Sequence, residues 1–132
     1  MQNCFEMKKL FLFLILTLTA CSTCNVVKQT SIQEIQFGHG GGVAQSITKY
    51  SIKPDGCVYN GKDVIGKVGR SELISVYKDA ASLDCEQFDL PSNTFSFIRI
   101  VKTDTTLYYC WNGVAPLPVM GLDSKLHNLL PK

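Results

Sequence analysis

Apolar positions along the chain follow two different periods, and the change between them outlines the fold. Ile32, Ile35 and Phe37 form a short strand candidate that leads into a run of glycines. From Val43 to Lys53 the chain is rich in β-branched and aromatic residues, which suit a pleated, half-buried surface. It ends at Pro54-Asp55-Gly56, where proline presets the turn and glycine accepts the left-handed position after it. A short run at Cys57-Val58-Tyr59 follows, then Asn60-Gly61, a pair that joins hairpins, then a strand over Asp63 to Val68. The spacing predicts an antiparallel meander.

At Leu73 the period changes. Leu73, Val76, Tyr77, Ala80 and Leu83 recur at three- and four-residue steps, the stripe of an amphipathic helix, with Ser71 as its expected N-cap and Glu72 favourably placed in the first turn. Asp89-Leu90-Pro91-Ser92-Asn93 reads as a loop. Phe95 to Lys102 and Thr106 to Trp111 are two further strands, apolar enough to lie near the sheet centre, joined through Thr103-Asp104-Thr105. In the tail, Pro118 suits a helix start and Val119, Leu122, Leu126, Leu129 and Leu130 share one stripe. Gly121 weakens that helix by about 1 kcal/mol against alanine, so it depends on docking to the sheet. The expected class is α+β: an antiparallel sheet of five to six strands with two helices packed on one face.

The first twenty residues follow another logic. Lys8 and Lys9 precede an apolar run from Leu10 to Leu18, broken only by Thr17, and small residues follow it. Charge, a short apolar run and a small-residue end are the parts of a secretory signal peptide. A bilayer-spanning helix needs about 20 apolar residues, and this run has about half of that. Met7 opens a more usual signal start than Met1, because Glu6 would put negative charge where positive charge belongs.

Leu18-Thr19-Ala20-Cys21 resembles the lipobox of bacterial lipoproteins. The resemblance implies cleavage after Ala20, a diacylglyceryl thioether on Cys21 and acylation of the new amino terminus. Two or more acyl chains hold a protein on a bilayer where one is marginal. The expected divisions are a signal peptide over 1–20, a tether over 21–31, polar and without periodicity, and one domain over 32–132. The tether lacks the acidic run that can mark surface-exported lipoproteins, which leaves a periplasm-facing position. Cys21-Ser22-Thr23-Cys24 spells C-x-x-C, but a thioether on Cys21 removes one of its thiols.

Composition limits the partners. Of 132 residues, 112 remain after residue 20, enough for one core. Loss of Lys8, Lys9 and Glu6 takes the net charge from +2 to about +1, too weak a field to attract nucleic acid. Cys24, Cys57, Cys85 and Cys110 allow three ways of forming two disulfides in an oxidising envelope, or stand as buried thiols. His39 and His127 are the only histidines, and neither has a ligand at a recognised spacing, so no metal or cofactor is expected.

The chemistry that remains to be placed is Phe37-Gly38-His39-Gly40-Gly41-Gly42. His39 and its glycines resemble the oxyanion loop of lipases and esterases, but the matching nucleophile elbow fails: Gly69-Arg70-Ser71 has Leu73 where its second glycine should stand. Gly56, Gly61 and Lys62 match a phosphate loop up to Asp63, which would repel phosphate, and a strand rather than a helix follows. Two turns around a short strand explain that coincidence. For the glycines, the plainer reading is a loose turn or bulge between the first two strands. The sharper one is a patch for a polar ligand or partner, built from exposed N–H groups with His39, Gly40, Gly41, Gly42 and Trp111, although Trp111 also suits the core.

Phe37 to Gly42, Asp55 to Val58, Pro91 to Ile98 and Trp111 together resemble a group of small bacterial envelope lipoproteins, which implies a shared fold and no particular activity. The functional expectation is a non-enzymatic, membrane-anchored binding module for an envelope protein or small ligand. A small enzyme using His39 and a structural spacer stand as alternatives.

Overall fold

A computed structural model of the chain describes residues 27–84, 88–89 and 93–132. The expected signal peptide, the acceptor Cys21, the first part of the tether, Cys24, Cys85 and residues 90–92 of the expected loop lie outside the described residues.

The class is α+β. Among the described residues, seven strands run in the order β1 (Ile32–Gly41), β2 (Ser46–Ile52), β3 (Cys57–Asn60), β4 (Asp63–Lys67), β5 (Phe88–Asp89), β6 (Thr94–Lys102) and β7 (Thr106–Trp111). Helix α1 (Arg70–Ser82) lies between β4 and β5, and α2 (Leu117–Asn128) follows β7. They form one sheet in the spatial order β4-β3-β2-β1-β6-β7-β5. Six strands are antiparallel to their neighbours; the two-residue β5 pairs with β7 in parallel.

Three boundaries differ from expectation. First, β1 does not stop at Phe37 but continues through the glycines to Gly41, because β2 and β6 both pair with it along that length. Second, Ser71 does not cap α1. Gly69 takes the N-cap position without a side-chain bond, and the Ser71 hydroxyl instead donates to the Glu72 carboxylate at 3.2 Å. Third, the folded unit reaches back past Ile32: residues 27–29 form a helical turn, and Val27 is buried in the core.

The expected turns hold. The Gly56 N–H donates to the Lys53 carbonyl, and the Cys57 N–H to the Asp55 carboxylate at 2.9 Å. In the next hairpin, Gly61 and Lys62 bridge the paired Asn60 and Asp63, with Gly61 at φ +62°.

Strand alternation and the pairing register sort side chains into rows across one face of the sheet. One row is Ile52, Ile35, Ile100 and Leu107; the next is Tyr50, Phe37, Ile98 and Tyr109. All are buried but the half-buried Tyr50, and they join one cluster with Leu73, Val76, Tyr77 and Ala80 of α1 and Val119, Leu122 and Leu126 of α2. The buried Tyr77 hydroxyl donates to the Ile52 carbonyl at 3.2 Å, tying α1 to β2, and burial pushes its phenol well above the usual range. His127 of α2 stands edge-on to the Phe37 ring, 5.7 Å between centroids. The two helices meet through Lys125, which reaches Asp79 and donates to the Ser75 hydroxyl at 2.9 Å.

The opposite face carries a smaller apolar strip in which Phe97 lies between Phe95 and Tyr108, each at 6.3 Å between centroids. Cys110 is buried and Cys57 half-buried. Four strand spacings separate β3 from β7, roughly 19 Å, so these two cannot pair with each other.

Two predictions follow from this packing. Phe37→Ala, at the fully buried middle of the central strand, is expected to cost about 3–5 kcal/mol in urea denaturation. The second concerns Asp123, whose carboxyl is held above its ordinary range by burial, an effect that His127 only partly offsets. The His127 Nδ1 lies 3.0 Å from the Asp123 carbonyl and 3.2 Å from its Oδ1; the carbonyl is the better aligned, and Oδ1 is left with an electrostatic contact alone. Because the folded-state pKa is raised, ionisation disfavours the fold: the penalty is absent below the ordinary carboxylate range and grows as pH rises through the folded-state value. Asp123→Asn should therefore raise the urea midpoint at pH 7 and lose that advantage as the pH falls below about 4.

Candidate functional site

Beyond the Phe37 row, the same sheet face changes character. Thr48, His39, Ser96 and Trp111 form the third row, since His39 pairs with Thr48 on one side and Ser96 on the other, and Ser96 pairs with Trp111. The fourth row is Ser46, Gly41 and Thr94. Within two steps along each strand, an aliphatic and aromatic core gives way to hydroxyls and an imidazole.

These rows floor an open cleft of about 270 Å³, lined by His39, Gly40, Gly41, Ser46, Thr48, Thr94, Phe95, Ser96, Asn112 and Gly113. Gly41 puts no side chain between Ser46 and Thr94. A side chain there is excluded twice over: its φ is +100°, and a Cβ would overlap the Asn93 carbonyl. At Gly40 the missing Cβ makes room for other side chains, because the Phe95 ring edge comes within 2.8 Å of where it would stand, and Ile47 within 3.0 Å.

Of the residues expected to form a patch, His39, Gly40 and Gly41 do share the cleft. Gly42 and Trp111 are not in its lining. Gly42 lies in the β1–β2 turn, and its N–H is taken by the Asn93 carbonyl at 2.6 Å rather than facing a ligand. Trp111 is only 2% exposed and closes the core at the β7 end of the third row; the residues after it, Asn112 and Gly113, line the cleft instead. The expectation of exposed backbone N–H groups is thus replaced by side chains, because Gly40 and Gly41 are paired on both edges of a central strand.

Ser46, Thr48, Thr94, Ser96 and Asn112 were not anticipated. Their signal is nonetheless present: hydroxyl residues two apart on each strand flanking the glycines, at 46 and 48 and at 94 and 96, point to one face. Among the described residues, the side chains of His39, Ser46, Thr48, Thr94 and Ser96 make no hydrogen bond to protein, so their donors and acceptors are open to the cleft. Each hydroxyl can donate and accept, and the imidazole has one nitrogen for each role when neutral. Among the described residues, no carboxylate lines the cleft beside His39, and no group of three or more His, Cys, Asp or Glu could hold a metal.

The cleft opens at one pole of the domain. Strand β1 runs from the end where the N-terminal segment enters to the cleft, roughly 25–30 Å away. Exposed Val43, in the β1–β2 turn, exposed Val114, in the loop after β7, and exposed Leu117, at the start of α2, lie toward that far pole. Comparison with models of protein families, with curated proteins and with solved structures found no match. No helix among the described residues is long and apolar enough to cross a membrane.

The two reasons for glycine at the tip separate experimentally. Gly42→Ala meets no neighbour and should cost only the strain of its positive φ, about 1–2 kcal/mol. Gly41→Ala must also displace Asn93 and should destabilise the protein by distinctly more, read as a larger drop in urea midpoint.

Proposed function

We propose that the protein is a membrane-anchored envelope lipoprotein, held by acyl chains on Cys21 and presenting a non-enzymatic binding cleft at the pole away from the bilayer. The observation that carries this reading is the path of β1, which begins beside the N-terminal segment and ends at the cleft. Six Cα–Cα steps separate Cys21 from Val27 and span at most about 20 Å, so an anchor at Cys21 keeps the near pole close to the membrane while the cleft faces outward into the periplasm.

The lining supports binding over catalysis. Hydroxyls, an amide and an imidazole recognise a polar molecule by hydrogen bonds, whereas general-base chemistry at His39 would need a partner to set its tautomer and a nucleophile in hydrogen-bond reach. The cleft is near the lower end of the range for small-molecule sites, roughly 300–1,000 Å³.

The anchor is tested by intact-mass spectrometry and detergent-phase partitioning of the wild type and Cys21→Ser. The wild type is expected to carry acyl mass on an amino terminus at residue 21 and enter the detergent phase, and the variant to lose both. A wild type with an intact leader and no acyl mass would overturn the proposal.

A further inference from the structure

Resting on the reading of the cleft as a binding site, we infer that its ligand is an uncharged polyhydroxylated ring, that is, a neutral saccharide unit. Three observations carry the assignment. The first is the kind of group present: among the described residues, the side chains that line the cleft are hydroxyls (Ser46, Thr48, Thr94, Ser96), one amide (Asn112) and one imidazole (His39). Each hydroxyl both donates and accepts, and the amide carries separate donor and acceptor atoms, which is what a sugar hydroxyl, itself both donor and acceptor, requires. A phosphate or carboxylate would instead be matched by Lys, Arg or a cluster of backbone N–H groups. Here the Gly42 N–H is already given to Asn93.

The second observation is spacing. Thr48, His39 and Ser96 are direct cross-strand neighbours, as are Ser46, Gly41 and Thr94. Neighbours in a row stand about 5 Å apart and successive rows about 7 Å. This grid is on the scale of the separations between hydroxyls around one sugar ring, and the bare backbone at Gly41 leaves its middle open for the ring itself.

The third is pre-organisation. The grid stands on the central strand of the sheet, paired on both sides, and continues rows whose members are packed in the core. Its positions are set before a ligand arrives, which limits the ordering cost on binding. The side chains of His39, Ser46, Thr48, Thr94 and Ser96 are also unoccupied by protein partners among the described residues, so a ligand need not break internal hydrogen bonds to reach them.

The test uses the full chain, isotope-labelled and purified in detergent micelles, titrated while amide resonances are followed. Methyl β-glucoside, N-acetylglucosamine and maltose are the neutral probes; glucuronate and glucose 6-phosphate are their charged counterparts. At least one neutral probe is expected to shift the amides of His39, Thr48, Ser96 and Asn112 saturably, with Kd on the order of 1 mM for so small a ligand in an open cleft. The charged counterparts should bind at least about tenfold more weakly. Thr48→Val with Ser96→Ala removes both hydroxyls with little change in side-chain volume, and should abolish the shifts while the remaining spectrum stays folded. Should that pair not fold, Asn112→Ala, outside the strands, is expected to weaken binding several-fold. Saturable shifts that are equal for charged probes, or that map elsewhere, would overturn the assignment.

A second arm separates this failure from failure of the cleft as a binding site. A photo-crosslinker at position 46 in cells that captures a protein while all five sugars give no shift would overturn the saccharide and leave the cleft as a binding site. If neither a sugar nor a crosslinked partner engages the cleft, both readings fall.

Discussion

The fold depends on β1 being hydrogen-bonded on both edges along nearly all of its ten residues. A strand in that position has no solvent edge, so its backbone must satisfy both neighbours at once and its side chains must alternate cleanly between two faces. Those neighbours bring β2 and β6 into register with every step from Ile35 to Gly41. The core, the outer aromatic strip and the cleft are all consequences of that register. A slip of one residue would turn Ile35 and Phe37 outward and point Gln36 at the helices.

The same constraint explains why glycine is concentrated there. At Gly41 the neighbouring β6 segment approaches so closely that only a residue without Cβ fits, while at Gly40, on the other face, the vacated space is filled by Phe95 and Ile47. The glycines therefore do two different jobs within adjacent residues: one leaves a hollow on the helix side, the other lets an aromatic side chain lie across the strand on the outer side.

Much of the fold was legible because it rests on local signals. The change from alternating to helical period at Leu73 located α1, and the residues that its stripe named, Leu73, Val76, Tyr77 and Ala80, are those that the helix buries. Pro54-Asp55-Gly56 and Asn60-Gly61 marked their turns through backbone conformations that few residues accept. What local signals could not supply was pairing. His39-Gly40-Gly41 looks like a loop when read alone, since glycine weakens an isolated strand; it is a strand because two neighbours hold it there. Ser71 likewise looked like a helix cap, yet Gly69 takes that position two residues earlier and the Ser71 hydroxyl turns to Glu72. The cleft was half legible for the same reason: its histidine and glycines stand out in the chain, whereas Thr48 and Ser96 acquire meaning only when the register sets them on either side of His39.

The third row is where stability and function diverge. Trp111 occupies its β7 end and is buried in the core, which shows that the packed interior reaches this far along the sheet. Valine or leucine at positions 48 and 96 could extend the core toward β2, and burying each would contribute about 1.5–3 kcal/mol. The chain places threonine and serine there instead, flanking a histidine, and then leaves a glycine where the fourth row would close. A central sheet position given to polar side chains without protein partners is a local departure from what folding alone favours, and such departures concentrate at functional sites. The boundary between the Phe37 row and the His39 row is therefore the feature by which this domain is best understood: on one side the sheet face holds the helices, and on the other it is kept open for something else.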